Sequence, residues 1–161
     1  MFQQLDRTHD RESFDCGVEE LNNHLKKYAR QNDEKGLGKT VVVVSDDNLK
    51  KIFGFYTIST GQIEIGSLPK EQRKKLPRYP LPVIRIGRFA VDIEFQGKGL
   101  GTALLMHALK NAEAVADRIG VYAVVLDAKD DKAKSFYLKC GFISLNNAPL
   151  KMFLPIRSIP A

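Results

Sequence analysis

The chain has 161 residues, 43% of them hydrophobic and 27% charged, a mix suited to a globular domain that buries about 68–70% of its unfolded surface without staples. Twenty-five Lys and Arg against 19 Asp and Glu give a net charge of +6, which suits an anionic partner and equally suits plain solubility. Two cysteines without CxxC spacing and three histidines without HExxH argue against a metal site or disulfide framework, and the short, charge-broken apolar runs argue against a membrane span.

No repeat or linker divides the sequence, so residues 1–161 are read as one domain. The start Met1-Phe2-Gln3-Gln4-Leu5-Asp6 has neither the basic nor the apolar region of a signal peptide, so the cytoplasm is the expected compartment. A first helix is predicted from about Cys16 to Gln31, because Val18, Leu21, Leu25 and Tyr28 recur at helical spacing, with Asp15 at the N-cap position. The β-branched run Thr40–Val44 predicts a strand, Asp46-Asp47-Asn48 a turn, and Lys51–Ser59 an antiparallel return strand that Gln62–Ile65 continues or pairs with. Leu68–Tyr79, rich in Pro and basic residues, reads as a short helix plus loop, and Val83–Val91 as a central strand. A glycine-rich turn then leads into a long helix, Leu100–Arg118, whose apolar face is Leu104, Leu105, Ala108, Leu109, Ala112, Val115 and Ala116. Val121–Leu126 predicts a buried strand, Asp131–Cys140 a short helix ended by Gly141, and Phe142–Leu145 and Leu150–Leu154 two final strands. The order implies an α+β fold, one mixed central β-sheet flanked by helices.

Two glycine motifs are decoys. Gly38-Lys39-Thr40 closes like a Walker A motif, but Asp33 stands where its first glycine belongs, and a valine strand follows instead of a helix. Gly97-Lys98-Gly99-Leu100-Gly101 is not GxGxxG, since its third glycine comes one place early. What remains is strand, Gln96-Gly97-Lys98-Gly99-Leu100-Gly101, helix. Backbone N–H groups at such a helix start converge on one concavity and suit a diphosphate.

Gln96-x-x-Gly99-x-Gly101 after the strand Arg88-Phe89-Ala90-Val91 resembles the pyrophosphate loop of the GNAT superfamily of N-acetyltransferases. Asp130-x-x-Ala133-x-x-Phe136-Tyr137-x-x-x-Gly141-Phe142 resembles that family's second signature, with Asp130 where Asn is usual. Phe14-Asp15-Cys16-Gly17, the stretch Arg85–Asp92 and Val124–Lys129 are similar to the GNAT toxins of type II toxin–antitoxin modules. The resemblance spans about Phe14 to Leu154.

It implies the GNAT fold and acetyl-CoA as cofactor. The diphosphate would be held by Gly97, Lys98, Gly99, Leu100, Gly101 and Thr102, with Gln96, Asp130 and Phe136 nearby. Phe89, Ala90 and Val91 would pair with the pantetheine arm through their backbone, as an added strand does. Tyr137 would donate to the departing thiolate; on residue type alone it could equally be a packing aromatic beside Phe136. The resemblance further implies the α-amine of aminoacyl-tRNA as acceptor, translation inhibition, a homodimer, and a ribbon-helix-helix antitoxin that carries the complex onto operator DNA. An α-amine titrates near 7.7–8.0 and a lysine near 10.4, so the lack of an obvious base at His9, His24 or His107 favours the former. Lys70, Arg73, Lys74, Lys75 and Arg78, with Arg85 and Arg88 on the next strand, are candidate RNA phosphate contacts or a merely solvated face. A small amine or protein N-terminus as acceptor, and a non-catalytic acetyl-CoA- or nucleic-acid-binding module, are the alternatives.

Overall fold

In the computed structural model, which describes residues 1–160, seven strands form one hydrogen-bonded sheet. They are β1 (Phe2–Gln4), β2 (Lys39–Ser45), β3 (Asn48–Ile63), β4 (Leu81–Val91), β5 (Ala123–Asp127), β6 (Ile143–Leu145) and β7 (Ala148–Pro155). Their spatial order is β1-β2-β3-β4-β5-β7-β6. β4 and β5 run parallel, whereas β1/β2, β2/β3, β5/β7 and β6/β7 are antiparallel. The expected mixed sheet is therefore observed. The helices are α1 (Glu19–Asn23), α2 (Ala29–Glu34), α3 (Lys70–Arg73), α4 (Leu100–Ala116) and α5 (Asp131–Lys139). Two compact units divide the chain: Met1–Ser59 with Gly87–Ala108, and Thr60–Ile86 with the residues from Leu109 onward.

In the first unit, Phe14, Leu25, Val42, Val44, Ile52 and Phe55 are almost completely buried in one cluster, each apolar side chain contributing about 1.5–3 kcal/mol relative to exposure. The single helix predicted from Cys16 is interrupted: a π-helical turn, His24–Tyr28, joins α1 to α2. The wider turn shifts the helical register. Tyr28 is 52% exposed, and Ala29 occupies the core in its place. Asp15 is not the N-cap. The helix starts at Glu19 behind an uncapped Val18, while the Asp15 carboxylate accepts from Gly17 N–H and Asn22 Nδ2. β1 was not apparent from sequence, because Phe2-Gln3-Gln4 has no β-branched run; its register against Val41–Val43 makes it a strand. Gln62 continues the second hairpin strand, which runs unbroken to Ile63.

In the second unit, Ile63, Leu68, Leu81, Val83, Ala123, Val125, Leu145 and Phe153 form the core. Ala123, Val124, Val125 and Leu126 are all buried, which explains an uninterrupted apolar run where a half-exposed strand would alternate. Gly141, at φ 99°, follows α5 in the left-handed conformation that ends a helix. Among the described residues, no helix is long and apolar enough to cross a membrane.

Candidate active site

The glycine turn is assembled from its supports outward. The buried Asp92 ends the β4 segment and turns its two carboxylate oxygens to different donors: Oδ1 accepts from Glu94 N–H at 3.0 Å, and Oδ2 from Asp15 N–H at 3.0 Å. The first bond caps the short 3₁₀ turn Ile93–Phe95; the second ties that turn to the segment before α1. Gln96 completes the clamp by donating from Nε2 to the carbonyls of Val91 (2.8 Å) and Cys16 (3.1 Å). The Gln96 amide nitrogen thus braces the loop from behind.

Beyond Gln96 the chain reverses through Gly97 (φ 77°) and Gly99 (φ 83°), a left-handed conformation costly for residues with a Cβ. No heavy atom lies within 4 Å of where a Cβ would stand at Gly97, Gly99 or Gly101. Space therefore does not require these glycines; backbone conformation does at 97 and 99, and at all three the main chain is left open to a close-approaching group. α4 opens directly at Leu100, its first hydrogen bond running from Ala103 N–H to Gly99 O at 3.2 Å. The N–H groups ahead of Ala103 are the helix's orphan donors, at the positive end of its dipole. Gly97, Lys98, Gly99 and Thr102 are exposed. This donor set fits a diphosphate, and hence the acetyl-CoA that the motif implies.

Phe89, Ala90 and Val91 lie at the end of β4, directly before the loop. The β4–β5 ladder extends only from Val83↔Ala123 to Ile86↔Leu126, while β4 continues to Val91. Ala90 is buried, and Phe89 and Val91 are half-buried.

The three histidines have structural partners. His9 Nε2 is bonded to Gln3 Oε1 at 2.8 Å, and His9 Nδ1 accepts from Asp6 N–H at 3.1 Å. His107 Nδ1 meets Tyr56 Oη at 2.8 Å while its ring stacks on Phe2 with centroids 3.9 Å apart. His24 is buried, and desolvation, aided by the Arg88 cation, lowers its pKa to about 4. Burial lowers the pKa of His107 as well, so neither His24 nor His107 resembles a general base poised near neutral pH.

In the second unit, Tyr137 lies on α5 at 6% exposure. Phe136 and Phe142 present edges to its ring, with centroids at 5.2 and 5.7 Å. Burial, with a smaller contribution from Cys140, pushes the phenol up to about 12. The group holds its proton across the whole physiological range, as a donor must. Asp130, the departure from the family signature, is the N-cap of α5: its Oδ1 accepts from Ala133 N–H at 2.8 Å. Asn and Asp cap about equally well, so the fold accepts either at this position.

Arg85 lines a cavity of about 220 Å³ with Gln62, Glu64, Asp127, Asn147 and Lys151 among its walls, and its guanidinium lies 3.6 Å from the Asp127 carboxylate. Asp127 and Lys151 are lining residues that no motif in the sequence marks as site residues. The pairing Asp127↔Lys151 across β5 and β7 brings them there, and only strand register could have revealed it. Lys70, Arg73, Lys74, Lys75 and Arg78 are all exposed in and after α3, and none has an ion pair among the described residues. Arg88 is exposed on β4 in the first unit, apart from the α3 group in the chain's division.

Comparison with known proteins agrees with these features. The acetyltransferase (GNAT) domain family matches residues 37–144. A Mycobacterium tuberculosis protein named tRNA-acetylating toxin is 33% identical over 149 residues, 92% of this chain and 87% of its own. The crystal structure of a Tyr-to-Phe mutant of KacT superposes with a TM-score of 0.93 at 32% identity, covering 99% of this chain and 96% of that one. AtaT complexed with acetyl-methionyl-tRNAfMet gives 0.90 at 30% identity, again covering 99% and 96%. Other solved relatives are AtaTR bound with acetyl-CoA, at 30% identity and 0.84, and a KacTA–DNA complex, at 29% and 0.82. On the family match and on the loop, strand and helix geometry together, the chain belongs to the GNAT acetyltransferase domain family.

Proposed function

We propose that this protein is the toxin of a toxin–antitoxin pair, a single-domain enzyme that moves an acetyl group from acetyl-CoA to the α-amine of aminoacyl-tRNA and so stops translation. The observation that carries this reading is the similarity, across 92% of the chain, to a relative named a tRNA-acetylating toxin. Relatives solved with an antitoxin and with DNA support an antitoxin partner and DNA binding by the pair; that the antitoxin is a ribbon-helix-helix protein, masks the toxin and carries it to operator DNA is what the family resemblance implies. A cytoplasmic homodimer is part of the same reading.

Acetyl-CoA, when bound, supplies the activated acetyl group as a thioester. The N–H groups of residues 97–102 would hold its diphosphate, and the Phe89–Val91 backbone would align its pantetheine arm. Tyr137 would donate a hydrogen bond at the departing sulfur. With the phenol near 12 and an ordinary thiol near 8.5, complete proton transfer to a thiolate is uphill by about 5 kcal/mol. Tyr137 therefore stabilises developing negative charge chiefly as a hydrogen-bond donor, an oxyanion-hole type of role.

The acceptor needs no histidine. An aminoacyl α-amine, whose pKa near 8 falls further on esterification, has a sizeable neutral fraction at pH 7, which matches a site whose histidines are committed elsewhere. Exposed cations around α3 suit phosphate contacts that hold RNA without reading bases, and the mixed lining at Arg85, Asp127 and Glu64 suits a polar, amine-bearing end.

The test is labelled acetyl-CoA with charged tRNA and, in parallel, the same tRNA deacylated. Label is expected as N-acetyl amino acid released by alkali from the charged sample alone. Label on deacylated tRNA, label only on protein, or no transfer would overturn the proposal.

A further inference from the structure

Beside the glycine turn, in the same unit, the side chains form a charged cluster that diphosphate binding does not explain. The Phe95 ring, last residue of the 3₁₀ turn, stacks on Phe53 of β3 with centroids 3.9 Å apart and planes 24° from parallel. Two ammonium groups converge on that ring: Lys51 Nζ at 5.7 Å from its centroid and Lys98 Nζ at 5.8 Å. Lys51 and Phe53 come from β3 at the register shift where its pairing with β2 passes from Val43↔Gly54 to Val44↔Ile52, whereas Lys98 comes from between the two positive-φ glycines. Like charges gathered from distant parts of the chain repel unless something offsets them. The ring's negative face contributes modestly at an exposed site. Glu94 offsets Lys51 alone, at 3.4 Å. Asp10, bridged to Lys51 through the backbone, lies close enough for its carboxylate to feel the Lys51 charge; Lys98 has no ion pair among the described residues, so its charge stays open next to the N–H nest.

We propose that Lys51 and Lys98, held by Phe95, form a subsite for the 3′-phosphate of coenzyme A, making this enzyme selective for the coenzyme over its 3′-dephospho form. The inference rests on the acetyl-CoA reading above and adds a determinant to it. Backbone N–H groups and the helix dipole suit the two singly charged phosphoryls of a diphosphate. The remaining phosphate on the coenzyme is a monoester carrying about −1.5 to −2 charge at neutral pH, and two convergent ammoniums match it better than a neutral nest does. Lys51 comes from β3, outside the glycine turn, and its place in the cluster is accounted for by a second anionic group. An RNA phosphate would satisfy the same lysines in principle; their position at the diphosphate nest favours the coenzyme.

The experiment is calorimetric titration of the full chain with acetyl-CoA and with 3′-dephospho-acetyl-CoA, at low and at moderate salt, for wild type, Lys51→Met, Lys98→Met and the double variant. Met keeps an apolar stem on the ring and removes the charge. Wild type is expected to prefer acetyl-CoA by about 5–30-fold, each single change to reduce that preference by about 2–5-fold, and the double change to abolish it, as for exposed charge pairs. The preference should shrink as salt is raised. Thermal melting of each variant keeps a folding defect from imitating the effect. An unchanged preference in the double variant overturns the proposal. So does equal weakening toward both ligands, which would assign the lysines to the diphosphate, or weakened binding of charged tRNA with coenzyme affinity intact. If wild type binds neither form of the coenzyme, the acetyl-CoA reading falls first and takes this subsite with it.

Discussion

The turn at residues 97–102 and the tyrosine at 137 meet negative charge by opposite physical means. The turn is open to solvent, offers main-chain donors, and owes its geometry to two glycines with positive φ. Tyr137 is 6% exposed, ringed by Phe136 and Phe142, and keeps its proton because burial disfavours the phenolate. A loop of that kind suits charge that is permanent, since its donors remain available whatever the pH. A buried phenol suits charge that develops only as a bond breaks, since desolvation strengthens a hydrogen bond made at that moment. Binding and chemistry should therefore separate cleanly on mutation.

The largest effect expected is at the tyrosine. Tyr137→Phe should reduce kcat by about 10²–10⁴-fold, the range for a positioned proton donor, with acetyl-CoA affinity by calorimetry essentially unchanged. Comparable losses in both quantities would erase the distinction between the two regions.

Next comes acid sensitivity, which belongs to the loop's unit and not to the tyrosine's. The folded-state pKa of His24, about 4, lies below its ordinary 6.5. The unfolded chain therefore binds a proton between those values while the folded one does not, and stability falls as pH drops from about 6.5 to 4. The loss is at most about 3 kcal/mol, followed by denaturant titration, and His24→Asn should flatten it. Tyr137 has the reverse sign. Its raised pKa leaves stability intact through neutral pH and removes it only as pH climbs from about 10 toward 12.

Gly99→Ala should act on binding alone. A Cβ in the left-handed region costs roughly 1–2 kcal/mol, so acetyl-CoA affinity should drop about 10-fold while turnover of the bound enzyme changes little. Least of all should come from Asp130→Asn. Both residues cap α5, so melting is expected to shift by less than about 0.5 kcal/mol and coenzyme affinity to stay put. A large gain in affinity would show that the carboxylate opposes the coenzyme.

What the residues disclosed about these regions follows from how local each cause is. Glycine spacing, a preceding strand and a following helix are neighbours in sequence, so the turn was legible, and so was α4 from the periodicity of Leu104, Leu105, Ala108 and Leu109. The supports of the turn were not. Asp92 reaches the main chain of Asp15, and Gln96 that of Cys16, across most of the first unit; no pattern in either segment announces the other. The π-helical turn at His24–Tyr28 escaped notice because the apolar spacing fits an ordinary helix, and packing rather than propensity moved Tyr28 outward. Tyr137 was found through the signature around it. Its altered acidity depends on Phe142, brought close only when the chain turns back at Gly141. Lys51 lay in a strand read solely for its apolar residues, so its approach to Phe95 was invisible before folding.

The division of labour is tested most directly by a crystal structure with acetyl-CoA bound. The account predicts diphosphate oxygens at about 3 Å from main-chain nitrogens of residues 97–102 and the Tyr137 hydroxyl in hydrogen-bond range of the thioester sulfur. A diphosphate seated elsewhere, or a phenol pointing away from the sulfur, would contradict it.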